Sequence, residues 1–129
     1  MPRQLESAWR FSSRNREIPR ELELDDLDAE ASHVLAFDGK TPVATGRVTI
    51  DGRMATIARI AVLPGYRGQG IGARIVGMLE ERARQRSATV AELSPHYYLE
   101  DFYARLGYRR VAGEEWVAGH RLIKMSKEL

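Results

Sequence analysis

Apolar and polar positions along this chain change rhythm several times, and each change marks an element. Residues 33–37 are a compact apolar run that reads as a strand. Residues 38–42, Asp-Gly-Lys-Thr-Pro, read as a turn. Residues 43–50 alternate at a period of two as a second strand, and Asp51-Gly52 is a strong hairpin signal. Residues 53–63, rich in Ile and Val, complete an antiparallel meander. The period then switches. Ile71, Ile75, Val76, Leu79 and Ala83 fall on one helical stripe, with Arg74, Glu80, Glu81, Arg82 and Arg84 elsewhere. Residues 88–93 read as a strand, broken by Pro95. Tyr98, Leu99, Phe102, Tyr103 and Leu106 return to helical spacing, with Gly107 as a natural stop. Residues 108–112 and 121–125 read as a closing pair of strands.

The start of the chain is less regular. Trp9, Phe11 and Ile18 form one face of an irregular helix that ends at Ile18-Pro19. Residues 21–31 are acidic and read as a loop or short helix. Such a run is usually a solvated face; the sharper alternative is an acidic rim that attracts a cationic substrate. The predicted order is β-β-β-α-β-α-β-β. This is an α+β (mixed α/β) fold with a mostly antiparallel sheet. Its one βαβ crossover makes strands 53–63 and 88–94 parallel.

Composition narrows the function. A chain of 129 residues has room for one core, so 1–129 is expected to be a single domain. It has no cysteine, which excludes disulfides, thiolate metal sites and cysteine nucleophiles. His33, His96 and His120 are far apart, without metal-ligand spacing, so no metal is expected. The net charge of +2 comes from interspersed charges and does not argue for a nucleic-acid partner. No apolar run approaches the roughly 20 residues of a membrane helix. The Arg- and Ser-containing start resembles a transit peptide, but Glu6 and Glu17 count against it, and a cytoplasmic location is expected.

The chemistry concentrates where strand 53–63 runs into the first helix. Glycines stand at 65, 68, 70 and 72, and Arg67 stands among them. A strand–glycine-loop–helix junction offers a row of backbone N–H groups, a ready site for a pyrophosphate. Three ligands compete for it. A Walker-type loop needs Lys-Ser or Lys-Thr after its glycines, and neither is there. A dinucleotide site is a closer rival, since Gly68-x-Gly70-x-x-Ala73 fits that fingerprint and Glu92 lies at a suitable separation for a ribose. Against it, Pro64 to Arg67 intervene after the strand, and the chain has room for only one βαβ unit. The third is an acyl-CoA loop, Arg67-x-x-Gly70-x-Gly72 after Leu63-Pro64.

That last pattern resembles the signature of the GNAT superfamily of N-acetyltransferases. The similarity covers most of the chain from about Ile18 onward and looks closest to the small ElaA-like branch. It rests on Ile18-Pro19-Arg20-Glu21-Leu22-Glu23, Asp26-Leu27-Asp28, His33, Phe102-Tyr103-Ala104-Arg105-Leu106-Gly107-Tyr108 and Gly113-Glu114-Glu115-Trp116. The chain also departs from that branch. The usual first strand and much of the first helix precede the point where it starts. Pro95-His96 replaces Ala-Gln, Leu99 replaces an Ala, and Gly119-His120-Arg121-Leu122 replaces Gly-Ile-Pro-His. These changes cluster on the acceptor side and leave the cofactor loop untouched.

The resemblance implies acetyl transfer from acetyl-CoA to a primary amine, of a small molecule or a peptide, by direct attack in a ternary complex. The implied cofactor contacts are Ile60, Ala61, Val62, Arg67, Gly68, Gln69, Gly70, Ile71, Gly72, Ala73 and His96. A backbone N–H near Ala61 to Val62 would polarise the thioester, which requires strands 53–63 and 88–94 to splay apart. Tyr103 is the implied general acid. A tyrosine pKa near 10 exceeds that of a thiol near 8.5, so a hydrogen bond rather than full transfer is enough. Glu92, His96, Glu114 and Glu115 are candidate bases; His120 reads as an exposed turn residue and His33 as structural. A homodimer is common among similar proteins. The alternatives are an acyl-CoA-binding sensor that has lost catalysis, and an acetyltransferase acting on charged RNA.

Overall fold

A computed structural model describes residues 21–27 and 30–129; the irregular helix expected within residues 1–20 lies outside them. The described elements are strands β1 (Glu21–Asp26), β2 (Ala31–Asp38), β3 (Thr41–Asp51) and β4 (Met54–Val62), then helix α1 (Ile71–Gln85). Strand β5 (Val90–Leu93), helix α2 (Glu100–Arg105), and strands β6 (Arg109–Val117) and β7 (His120–Glu128) follow. Short 3-10 turns at Pro64–Tyr66 and Tyr97–Leu99 lead into the two helices. The strands form one mixed sheet in the order β1-β2-β3-β4-β5-β7-β6. Its neighbours are antiparallel except β4 and β5, the pair joined through α1. The mixed α+β architecture with a single central parallel pair matches the expectation.

The acidic stretch is the main correction. Residues 21–26 are neither loop nor helix but edge strand β1, paired with β2 from Glu21 opposite Phe37 to Asp26 opposite Ser32. The physical reason is the period. Leu22 and Leu24 are buried while Glu21, Glu23 and Asp25 take the other face. Three strands separate β1 from β5, so these carboxylates do not rim the gap between β4 and β5.

Helix α1 lies on the face formed by β2, β3 and β4. Its predicted stripe is the buried one, with Met78 added. Glu80, expected off that stripe, is 6% exposed. Tyr108 donates a hydrogen bond to its carboxylate at 2.7 Å, and Lys127 donates to both oxygens at 3.1 Å. Lys127 also donates to the Leu106 carbonyl at 2.8 Å, tying α1 to β7 and to the end of α2. A carboxylate can be buried only when so compensated.

The helix approaches the sheet closely because of Gly46 on β3. A Cβ there would lie 2.5 Å from Ile75 Cγ2 and 2.7 Å from Ile60 Cδ1. Gly46 also faces a β-bulge. Arg47 pairs with Ala58 and Thr45 with Ala61, so Arg59 and Ile60 together oppose Gly46 alone.

Candidate active site

Strands β4 and β5 begin side by side and then part. Their pairing covers only Met54 with Val90, Ala55 with Ala91 and Thr56 with Glu92. Beyond Thr56, β4 stays on β3 while β5 pairs on its other side with β7. The expected splay is therefore present. Its cause is the bulge at Arg59, which bends β4 away. The Leu63 N–H bonds the Val43 carbonyl of β3 at 2.9 Å. Antiparallel alternation then turns Ala61 towards β3 and Val62 towards the gap. Of the two expected amides, Val62's faces the opening and Ala61's belongs to the β3 ladder.

At the outer end of the gap stands the start of α1. Gly70 caps it with φ of +81°, and Gly68 is also left-handed at +80°. No side chain caps this helix. The Arg74 N–H is the first to close a helical bond, to the Gly70 carbonyl at 3.1 Å. The N–H groups of Ile71, Gly72 and Ala73 precede it and have no intrahelical carbonyl to bond. A Cβ at Gly68 or Gly70 would meet nothing within 4 Å, so these glycines serve the backbone turn and its open approach. Arg67 Nε donates to the Val62 carbonyl at 2.9 Å, which fixes the guanidinium at the mouth.

These parts line one cleft of about 540 Å³. Of the expected contacts, Ile60, Ala61, Val62, Arg67, Gly68, Gly70, Ile71, Gly72, Ala73 and His96 all border it, as does Tyr103. Gln69 does not; its side-chain oxygen is turned into the protein. Tyr66, Tyr98, Leu99 and Phe102 complete the wall. The Tyr66 hydroxyl is held by the Asp38 carboxylate. Tyr103 is buried, with its ring edge-on to Phe102 at 4.9 Å and to Tyr108 at 6.0 Å. Burial raises its pKa above the ordinary tyrosine value.

A second cleft of about 370 Å³ lies on the other side of the same gap and shares Ile60, His96, Leu99 and Tyr103 with the first. His96 sits there because β7 holds its loop: Ile123 N–H bonds the Pro95 carbonyl at 3.0 Å, and His96 bridges to Leu122. His120, expected as an exposed turn residue, is exposed at the start of β7 just after the 118–119 turn. It lines this second cleft, and its ring meets His96 edge-on at 5.0 Å. Nothing local signals that encounter; it exists because β7 lies beside β5. The other candidate bases lie outside both clefts. Glu92 faces Lys124 at 4.0 Å. Glu114 is clasped by Arg121 and by Arg110, and the hydrogen bond from Arg121 lowers its pKa. Glu115 is on the exposed outer part of β6. His33 is on β2, away from the clefts.

Among the described residues no group of three or more His, Asp or Glu side chains is arranged to hold a metal, and no helix is long and apolar enough to cross a membrane.

Known proteins agree with this geometry. The profile of the Acetyltransferase (GNAT) family matches residues 2–108. An uncharacterized N-acetyltransferase of Bacillus subtilis, YjcF, is 32% identical over 112 residues, covering 86% of this chain and 80% of its own. An aminoalkylphosphonate N-acetyltransferase of Salmonella typhimurium is 42% identical over 57 residues, 42% of this chain and 37% of its own. Among solved structures, Escherichia coli ElaA superimposes with a TM-score of 0.69 at 21% identity, over 80% of this chain and 75% of that one. The Thermoplasma acidophilum PaiA N-acetyltransferase in complex with coenzyme A gives 0.65 at 20% identity, over 78% and 62%. The splayed parallel pair, the glycine-capped helix and the match across residues 2–108 together make this chain a member of the GNAT acetyltransferase family.

Proposed function

We propose that this protein transfers an acetyl group from acetyl-CoA to a primary amine, both bound at once across the gap between β4 and β5. The observation that carries the reading is the junction of that gap with the uncapped start of α1. The fit to coenzyme A can be judged from the residues. The unbonded N–H groups at Ile71, Gly72 and Ala73, the helix dipole and the remaining guanidinium nitrogens of Arg67 suit a pyrophosphate. The Val62 amide, facing an opening that no strand fills, suits an extended pantetheine arm hydrogen-bonded like an added strand. The PaiA neighbour, which shares the fold, holds coenzyme A.

Acetyl-CoA supplies a thioester: the amine nitrogen bonds to its acyl carbon, the carbon–sulfur bond breaks, the sulfur departs as a thiolate, and the proton given up by the amine returns through solvent to make the free thiol. The chain's own groups divide that work. An amide of the β4 segment donates to the carbonyl oxygen as negative charge grows there. Tyr103 donates a hydrogen bond to the departing sulfur. Its raised pKa favours a hydrogen bond over complete proton transfer. His96 and His120 line the acceptor side and take the amine's proton; Glu114, committed to two arginines, does not.

The reading is tested by melting the protein with and without acetyl-CoA. Acetyl-CoA is expected to raise the midpoint, and Gly70→Glu to remove that rise by placing a carboxylate where the pyrophosphate sits. An unaltered rise in the variant would place the cofactor elsewhere. Thiol release with a panel of amines then separates an enzyme from a sensor that binds acetyl-CoA without turnover.

A further inference from the structure

From the acceptor-side cleft we infer the substrate class: a small primary amine that also carries an anionic group, a carboxylate or a phosphonate, read by Arg59. This deepens, and rests on, the transferase reading above. Three observations carry it. The first is the bulge. Arg59 has φ of +59°, a left-handed conformation that a non-glycine residue rarely takes. A bulge re-aims a side chain, and strain of this kind gathers at functional positions. Here it brings Arg59 into the wall of the 370 Å³ cleft, immediately before the Ile60–Val62 segment that borders the cofactor cleft.

The second is charge. Among the described lining residues, Arg59 is the only arginine or lysine, and no aspartate or glutamate joins it. No described carboxylate pairs with its guanidinium, whereas Arg82, Arg84, Arg86, Arg110 and Arg121 all have acidic partners. A polyamine would find no counter-charge in this cleft; an anion would find a planar, doubly donating one. The third is size and wall chemistry. The opposite wall is Val117, Ala118 and Leu122, with His96 and His120 beside them. That combination suits a short aliphatic spacer between the anion and a nitrogen that must lose a proton.

The test compares β-alanine, 2-aminoethylphosphonate, n-propylamine and putrescine as acceptors, by thiol release and by calorimetric binding to the coenzyme A-loaded protein. Arg59→Asn removes the charge while keeping a residue that tolerates the left-handed turn. We expect KM for the two anionic amines to lie at least tenfold below that for n-propylamine, and putrescine to be the poorest acceptor. Arg59→Asn is expected to raise the anionic amines' KM and Kd by roughly 10- to 100-fold, the scale of a lost hydrogen bond to a charged group. It should leave n-propylamine, acetyl-CoA and the melting midpoint with acetyl-CoA nearly unchanged, and Arg59→Lys should restore part of the loss. Which anionic amine binds tighter separates carboxylate from phosphonate. Equal use of n-propylamine or putrescine, or an Arg59→Asn loss shared by all four amines, overturns the inference while acetyl transfer stands. Failure of acetyl-CoA both to raise the midpoint and to release thiol with any amine would overturn the transferase reading itself, and the inference with it.

Discussion

Tyr103 shows how much one side chain's surroundings decide. Its ring is part of an aromatic cluster with Phe102 and Tyr108, and it also borders both clefts. Tyr103→Phe keeps the ring and removes only the hydroxyl. The folded protein should lose little stability, while kcat with a competent amine should fall about 100-fold, the lower end of the range for a positioned acid. The pH profile separates this from a packing effect. Because burial raises the Tyr103 pKa, the donating, protonated form persists through neutral pH and disappears only above the ordinary tyrosine range near 10. Wild-type kcat should therefore carry an alkaline decline that the Phe variant lacks. Arg59 makes the same point from the backbone side: its value lies in where a bulge aims it.

At the scale of elements, the decisive contact is that between α1 and the bulged part of the sheet. Gly46 allows Ile75, Leu79 and Ile60 to meet over β3. Gly46→Ala would force a methyl group to within 2.5 Å of Ile75 Cγ2. Overpacking of this kind costs about 1–3 kcal/mol, and a lowered urea midpoint should report it. Since Ile60 belongs both to the bulge and to the wall of the 540 Å³ cleft proposed for acetyl-CoA, affinity for acetyl-CoA should fall with it. Gly72 is the contrasting case. A Cβ there would lie 3.6 Å from Phe102 Cζ, an ordinary contact, so Gly72→Ala should leave the urea midpoint nearly unchanged.

Across the whole molecule, the Glu80–Lys127–Tyr108 cluster joins the helix face to the far strands. Lys127→Met would leave the Glu80 carboxylate with Tyr108 alone. Breaking a buried pair costs roughly 3–5 kcal/mol; Lys127 keeps some solvent contact, so the lower end, about 3 kcal/mol, is expected. Changing Glu80 to Gln as well should recover part of it, measured as a double-mutant cycle in urea. The cluster also sets an alkaline limit. Burial, and then the hydrogen bond to Glu80, hold Tyr108 protonated well above the usual tyrosine range. Above pH near 10 an unfolded tyrosine loses its proton while the folded one keeps it. The unfolded state then binds fewer protons, and stability falls as pH rises. Melts between pH 8 and 11 should show that fall, and Tyr108→Phe should flatten it.

What the sequence alone determined is what one continuous stretch of chain can express. Residues 59–73 contain a strand, a left-handed glycine turn and a helix start, so the open, uncapped start of α1 was legible in their order. The meander, the crossover and the apolar stripe of α1 were legible for the same reason, because periodicity is local. Strand β1 was obscured only because acidic residues filled the face opposite Leu22 and Leu24. The tertiary structure decided everything that depends on strand order. His120 reaches His96, and Lys127 reaches Glu80, because β7 inserts between β5 and β6. Arg59 lines the 370 Å³ cleft where a bulge opposite Gly46 interrupts β4. A sequence records spacing along the chain, whereas register and strand insertion are chosen by which pairing buries the most apolar surface with its polar groups satisfied.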